Sequence, residues 1–296
     1  MRPALRGLAL AVAICCAGAA STPVRADDVL DFLEARGLDS LAALRVEQLA
    51  AGASAEDRAQ LLDRLAEIFA RVLDTTDDRA TQERLLARAD ALVAELSTAK
   101  GDALRVSAAR TRYRDAARLA EGIRAGIPGD VTKASGTLAA QAVSLLDVAK
   151  RAEKRAGDID RRAERASGLA RDLAVEAMNE ERATAGQARY LAAWSLLYRG
   201  FLAKSREDTE KARGIFADLL GARDGKLSPD DISEDLRSDE AFASAILGMA
   251  LAKARVEGYP ESAVFLKLLE ADETHPAVRD ALDGWKLVAS LEARAF

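Results

Sequence analysis

Beyond residue 26 this chain contains no cysteine; its only two, Cys15 and Cys16, are adjacent and near the start. From residue 27 onward no disulfide, thiolate nucleophile or cysteine-ligated metal can be assembled. One histidine, His275, serves the whole chain. Histidine-rich zinc sites and the usual histidine acid–base sets are therefore excluded. Aromatic residues make up 4% of the sequence, few for a sheet protein, and no stretch alternates apolar and polar residues with a period of two. No G-x-S-x-G, H-E-x-x-H or P-loop motif occurs. Aspartate and glutamate are spread throughout, so no carboxylate pair stands out as catalytic. The sequence therefore points to no catalytic residue, no cofactor and no metal, and the chain is not expected to be an enzyme.

What is abundant is Ala, Leu, Arg and Glu, the strong helix formers. The expected fold class is all-α, an antiparallel helix-pair array with long Ala-rich central helices. The first 26 residues have a different character. Arg2 and Arg6 give a positive start, residues 8–19 form an uncharged apolar run, and Val24-Arg25-Ala26 is a small-x-Ala exit. These are the three regions of a secretory signal peptide, so cleavage after Ala26 and a periplasmic or secreted location are expected. The apolar run is too short for a stable membrane anchor. Its removal takes three arginines and no acid, leaving 40 basic residues against 48 acidic and a net charge of −8. That balance speaks against nucleic acid and anionic membrane as general partners.

The pattern after residue 26 divides into three parts. Residues 27–126 read as an N-terminal helical region, with helices over 29–35, 41–51, 54–73, 79–96 and 102–124. Gly126-Ile127-Pro128-Gly129 is the clearest break and a candidate boundary. Residues 131–180 carry an apolar stripe from Leu138 to Ala177 with alternating steps of four and three. That period belongs to coiled-coil-like packing. The segment is either one helix of about 60 Å or, the preferred reading, two helices broken at Gly157-Asp158. The Arg/Glu alternation of residues 151–165 reads as a solvated face with pairing along the helix.

Residues 181–296 resemble tetratricopeptide repeats, helix–turn–helix units of about 34 residues, in a degenerate form of secreted bacterial type. Trp194, Leu197 and Phe201 occupy the first-helix motif positions, and Ala212, Phe216 and Leu219 those of the second. Tyr198 departs from the small residue usual there. A second unit has Leu247, Gly248 and Leu251, then Val264, Leu268, Ala271 and Pro276; Ser244 departs at its large-residue position. A weaker half-unit is Leu62, Leu65, Ala66 and Phe69. The two units are offset by 52 residues, and the polar stretch 221–237 reads as an inserted loop with a short helix. A generic helical bundle remains the alternative. The resemblance implies a scaffold that holds protein or peptide on the concave face of its first helices. By the family's offsets Ser195, Arg199, Met249 and Lys253 would face that surface. Trp194, Leu197, Phe216, Leu247, Leu251 and Leu268 would be interior. The competing function is a structural envelope or assembly protein that self-associates through the 138–177 stripe.

Two local motifs invite chemistry and are better read structurally. Asp224 to Asp231 looks like the second half of a calcium loop, but Leu220 and Ala222 stand where the first oxygen ligands belong. Ser228 before Pro229, with Asp230 and Asp231 following, is a helix start. His275 before Pro276 reads as a turn residue ahead of another helix.

Overall fold

The computed structural model describes residues 28–222 and 227–294. The expected signal peptide and Asp224 to Lys226 of the calcium-like loop lie outside the described residues. The described chain is all-α, with packed helix pairs and no strand. It divides into two compact units, one ending at Leu65 and one beginning at Ala66. Among the described residues no helix is long and apolar enough to cross a membrane.

The first unit holds α1 (Asp28–Ala35), α2 (Asp39–Gly52) and the first half of α3 (Ala55–Thr75). Gly37, at φ +66°, makes the left-handed turn between α1 and α2. Leu30, Ala42, Val46 and Leu61 are buried. Arg64 of α3 reaches back to Asp31 at 2.7 Å and Glu34 at 3.0 Å.

The second unit contains the rest of α3, then α4 (Arg79–Glu95), α5 (Ala99–Arg124), α6 (Val131–Ala163) and α7 (Leu169–Ala203). After these come α8 (Arg206–Leu219), α9 (Glu234–Ser238), α10 (Glu240–Val256), α11 (Tyr259–Leu268), α12 (Pro276–Arg279) and α13 (Leu282–Glu292). Consecutive long helices pair: α4 with α5, α5 with α6, α6 with α7, α7 with α8, α8 with α10, α10 with α11. Side-chain polar groups stop and start them. Asp78, Thr98, Asp130 and Ser205 each accept a hydrogen bond from a backbone N–H of the following first turn, as N-caps do. Lys204, at φ 53°, closes α7 in the left-handed region, directly before the Ser205 cap.

Three expectations are corrected. The stripe of residues 138–177 is not one helix, and its break is not at Gly157. α6 runs through Gly157, and the turn lies at 164–168, where Gly168 has φ +58°. A glycine inside a helix costs only about 1 kcal/mol, and Ala152, Ala156 and Ala163 are buried around it. The stripe is buried within this chain from Leu138 to Ala156. Beyond the turn it loses register, and Leu173 is exposed. The junction between residues 180 and 181 falls inside α7, because that helix is continuous from Leu169 to Ala203. The charges of 151–165 do not mainly pair along their own helix. Arg151 and Arg155 of α6 bind Asp102 of α5, and Arg155 also binds Glu181 of α7.

The few aromatics are concentrated in one place. Trp194 sits within 5.5–6.5 Å of the rings of Tyr190, Tyr198, Phe216 and Trp285. Leu197, Phe216 and Leu251 are fully buried beside it, with Leu247 nearly so. The expected interior residues are thus buried, except Leu268, which is half-buried. The register of α11 also differs by one residue: Val264 is 48% exposed, while Phe265 is buried. α8 and α10 meet at Gly248, where a Cβ would overlap the Phe216 ring. Only glycine admits that ring. Within 221–237, Ser228 caps a short 3₁₀ turn, Pro229–Asp231, and the Asp231 carboxylate accepts from the Ser228 N–H at 3.0 Å. His275 directly precedes α12, which starts at Pro276.

Candidate binding cleft

Three helices of the second unit run side by side in the same direction. Arg110 of α5 lies at the level of Gln187 of α7, donating to its side-chain oxygen at 3.0 Å. Further along, the Tyr198 hydroxyl of α7 donates to Glu121 of α5. At the far end Arg124 of α5 and Arg255 of α10 approach the Phe201 ring of α7, 4.5 and 5.6 Å from its centroid. α6 and α8 run opposite to this set. Arg155 pairs with Glu181 while Arg189 pairs with Glu153, and Gly200 of α7 touches Thr209 of α8.

The two ends of this parallel set differ. At the carboxyl end Glu292 of α13 binds Arg124 at 3.1 Å and also Arg255. Burial lowers the Arg255 pKa, and the Glu292 carboxylate works against that shift. This bridge ties α13 to both α5 and α10. Where α10 begins, beside the middle of α5 and α7, the set opens into a cleft of about 630 Å³, lined among others by Arg110, Tyr113, Gln187, Tyr190, Glu240 and Phe242. Phe242 is 37% exposed there. Its helix starts at that point because Asp239 accepts from the N–H groups of Ala241 and Phe242 at 2.9 and 3.1 Å. Burial raises the pKa of both Tyr113 and Tyr190, so both phenols are neutral donors at physiological pH. The cleft thus combines apolar rings with a guanidinium at one edge and a carboxylate at the other. That is the composition of a site that holds apolar groups and orients them by a few polar ones.

A buried charged network supports this wall from behind. Asp102, in the first turn of α5, is fully buried. It binds Arg105 at 2.9 Å, Arg151 at 2.6 Å and Arg155 at 2.8 Å. Burial opposes its charge, but the guanidiniums of Arg151 and Arg155 outweigh burial and hold its pKa below the ordinary carboxylate value. Arg155 then binds Glu181 at 2.6 Å. Asp102 thereby fixes α5 to α6, and Glu181 fixes α6 to α7.

The four residues expected on a concave face do not come together. Ser195 is fully buried and donates to the Leu191 carbonyl at 2.7 Å. Met249 is also buried. Arg199 turns to Asp208 of α8 at 3.0 Å. Lys253 binds Glu257 at 2.8 Å and lies over the Phe265 ring of α11. The reason is packing. α7 touches α5, α6, α8 and α10, while α10 touches α7, α8, α11 and α13. Neither has a free face at these positions. The cleft instead takes α5, which the repeat pattern did not include, and positions at or before Leu191 of α7 and Ala245 of α10. Tyr190, one turn before Trp194, was the sequence signal for it. Among the described residues no group of three His, Cys, Asp or Glu side chains is placed to hold a metal ion. No family model, curated protein or solved structure matches this chain.

Proposed function

We propose that this protein is an exported, non-catalytic helical scaffold that binds protein or peptide in the cleft formed by α5, α7 and α10. The observation that carries the reading is the cleft itself. Phe242 is exposed there, beside the partly buried rings of Tyr113 and Tyr190, in a chain with few aromatics. The tetratricopeptide-like reading is part of the proposal: α5–α6, α7–α8 and α10–α11 are three successive hairpins, with the first helix of each lining the cleft. Gly248 supports it, since a small residue at that motif position receives a ring from the preceding pair. Self-association through the whole 138–177 stripe is the weaker reading, because α6 uses that stripe to pack inside its own chain.

A displayed random-peptide library selected against the protein tests the binding function. Selected peptides are expected to bind the wild type and to lose about tenfold or more in affinity with Phe242→Ala or Tyr190→Ala, as truncated anchor residues do. Equal binding by both variants would remove the cleft from the account. Export is tested by the N-terminus of protein from its native host: Asp27 is expected, and a retained Met1 contradicts it.

A further inference from the structure

The opposite side of α5 carries a second groove. At about 100° of rotation per residue, Arg105, Arg112, Leu119 and Ile123 point away from Arg110, Tyr113 and Arg114. They form the floor between α4 and α6. Two clefts of about 470 and 520 Å³ lie there, and they share Arg112 and Thr137. Together they follow α5 from Arg105 to Ile123, about 27 Å at 1.5 Å per residue. That is the length of about eight extended residues.

Two independent observations indicate what fits. The first is Gln141 of α6, which is 94% buried and lines the groove. Neither its amide nitrogen nor its amide oxygen has a hydrogen-bonding partner among the described residues. Leaving a buried amide without partners destabilises the unoccupied groove. A side-chain amide presents a donor and an acceptor side by side, the complement of the N–H and C=O that one residue of an extended chain points to the same side. The second is charge. Arg79, Arg105, Arg112, Arg118 and Lys133 line the groove against Asp90 and Asp115 alone, in a chain whose net charge is −5. Arg105 is committed to Asp102, Arg112 to Asp90 and Arg79 to Glu83, while the exposed Arg118 reaches Asp115 only at 3.6 Å, so the positive charge open to a ligand lies at Arg118 and Lys133. There the floor is apolar, with Leu119, Ile123 and the 63% exposed Ile127.

We infer that this groove binds an extended acidic peptide segment of a partner protein. Gln141 pairs with the N–H and C=O of one residue of the segment, Arg118 and Lys133 take its carboxylates, and Ile123 and Ile127 take an apolar side chain between them. This site is separate from the α5–α7–α10 cleft and does not depend on that reading.

The test is fluorescence anisotropy with a labelled octapeptide of alternating Glu and Leu, and a Lys–Leu octapeptide as control. The acidic probe is expected to bind, and to weaken as salt screens the charges. Gln141→Leu is expected to weaken it about tenfold or more without lowering the melting temperature, because a lone buried amide is replaced by an apolar side chain of similar size. Lys133→Glu, a surface change that leaves packing alone, is expected to weaken it as well. Phe242→Ala is expected to leave it unchanged. Equal binding of the Lys–Leu probe overturns the proposal. So does unchanged binding by folded Gln141→Leu, which would reduce the contact to loose surface charge. Loss of binding in Phe242→Ala would move the probe to the other cleft and also overturn it.

Discussion

Asp102 shows how one side chain can join two helices, α5 and α6. Its carboxylate has no contact with solvent, so its charge depends on Arg105, Arg151 and Arg155. Removing one member of such a buried set leaves the others uncompensated, and Asp102→Asn is expected to destabilise the protein by about 3 kcal/mol in urea unfolding at pH 7. The sign with pH follows from its lowered pKa. The stabilisation is fully present above the unfolded value of about 3.9 and disappears as pH falls through the lower folded value. The difference between wild type and variant should therefore shrink only in strong acid. A constant difference down to the lowest pH would show that the charge does not matter. Trp194 works through packing instead. It touches four other rings and is 5% exposed. Trp194→Ala is expected to cost about 3–5 kcal/mol by the same measurement; a neutral result would contradict the core described here.

At the scale of the helix, the two glycines Gly157 and Gly248 have opposite meanings. Gly157 lies inside α6, and an added Cβ would meet open space. Gly157→Ala is expected to stabilise the protein by about 0.5–1 kcal/mol, by relieving the entropy cost of glycine in a helix. Gly248 lies against the Phe216 ring, and Gly248→Ala is expected to destabilise by about 2 kcal/mol or more. Chemical unfolding of the two variants should move in opposite directions, and equal shifts would refute the α8–α10 contact. The same pair shows what was legible in the sequence. Helix composition, the caps and the turn glycines are local signals, so residues 29–35, 79–96 and 102–124 read close to their observed ends. Gly157 misled because a local propensity cost was set against tertiary burial that only the folded chain reveals. Gly248 was visible as a motif residue, but the ring it admits was not.

On the scale of the whole molecule, the second unit is organised by which helices run parallel. The motif positions of the tetratricopeptide resemblance picked out α7, α8 and α10 as packed helices. It could not show that α5 joins α7 and α10 in one wall, because that neighbourhood connects Tyr113 with Tyr190 across 77 residues. Nor could it show that α7 and α10 are enclosed by neighbours, which is why Ser195 and Met249 are interior. Binding is proposed where the wall opens at the start of α10, since Glu292, Arg124 and Arg255 close its carboxyl end. Hydrogen–deuterium exchange of the full protein, with and without a library-selected peptide, tests this most directly. The account predicts slowed exchange at 110–114, 186–191 and 240–245, with no change at 121–124 or 252–256. Protection confined to other segments would contradict it.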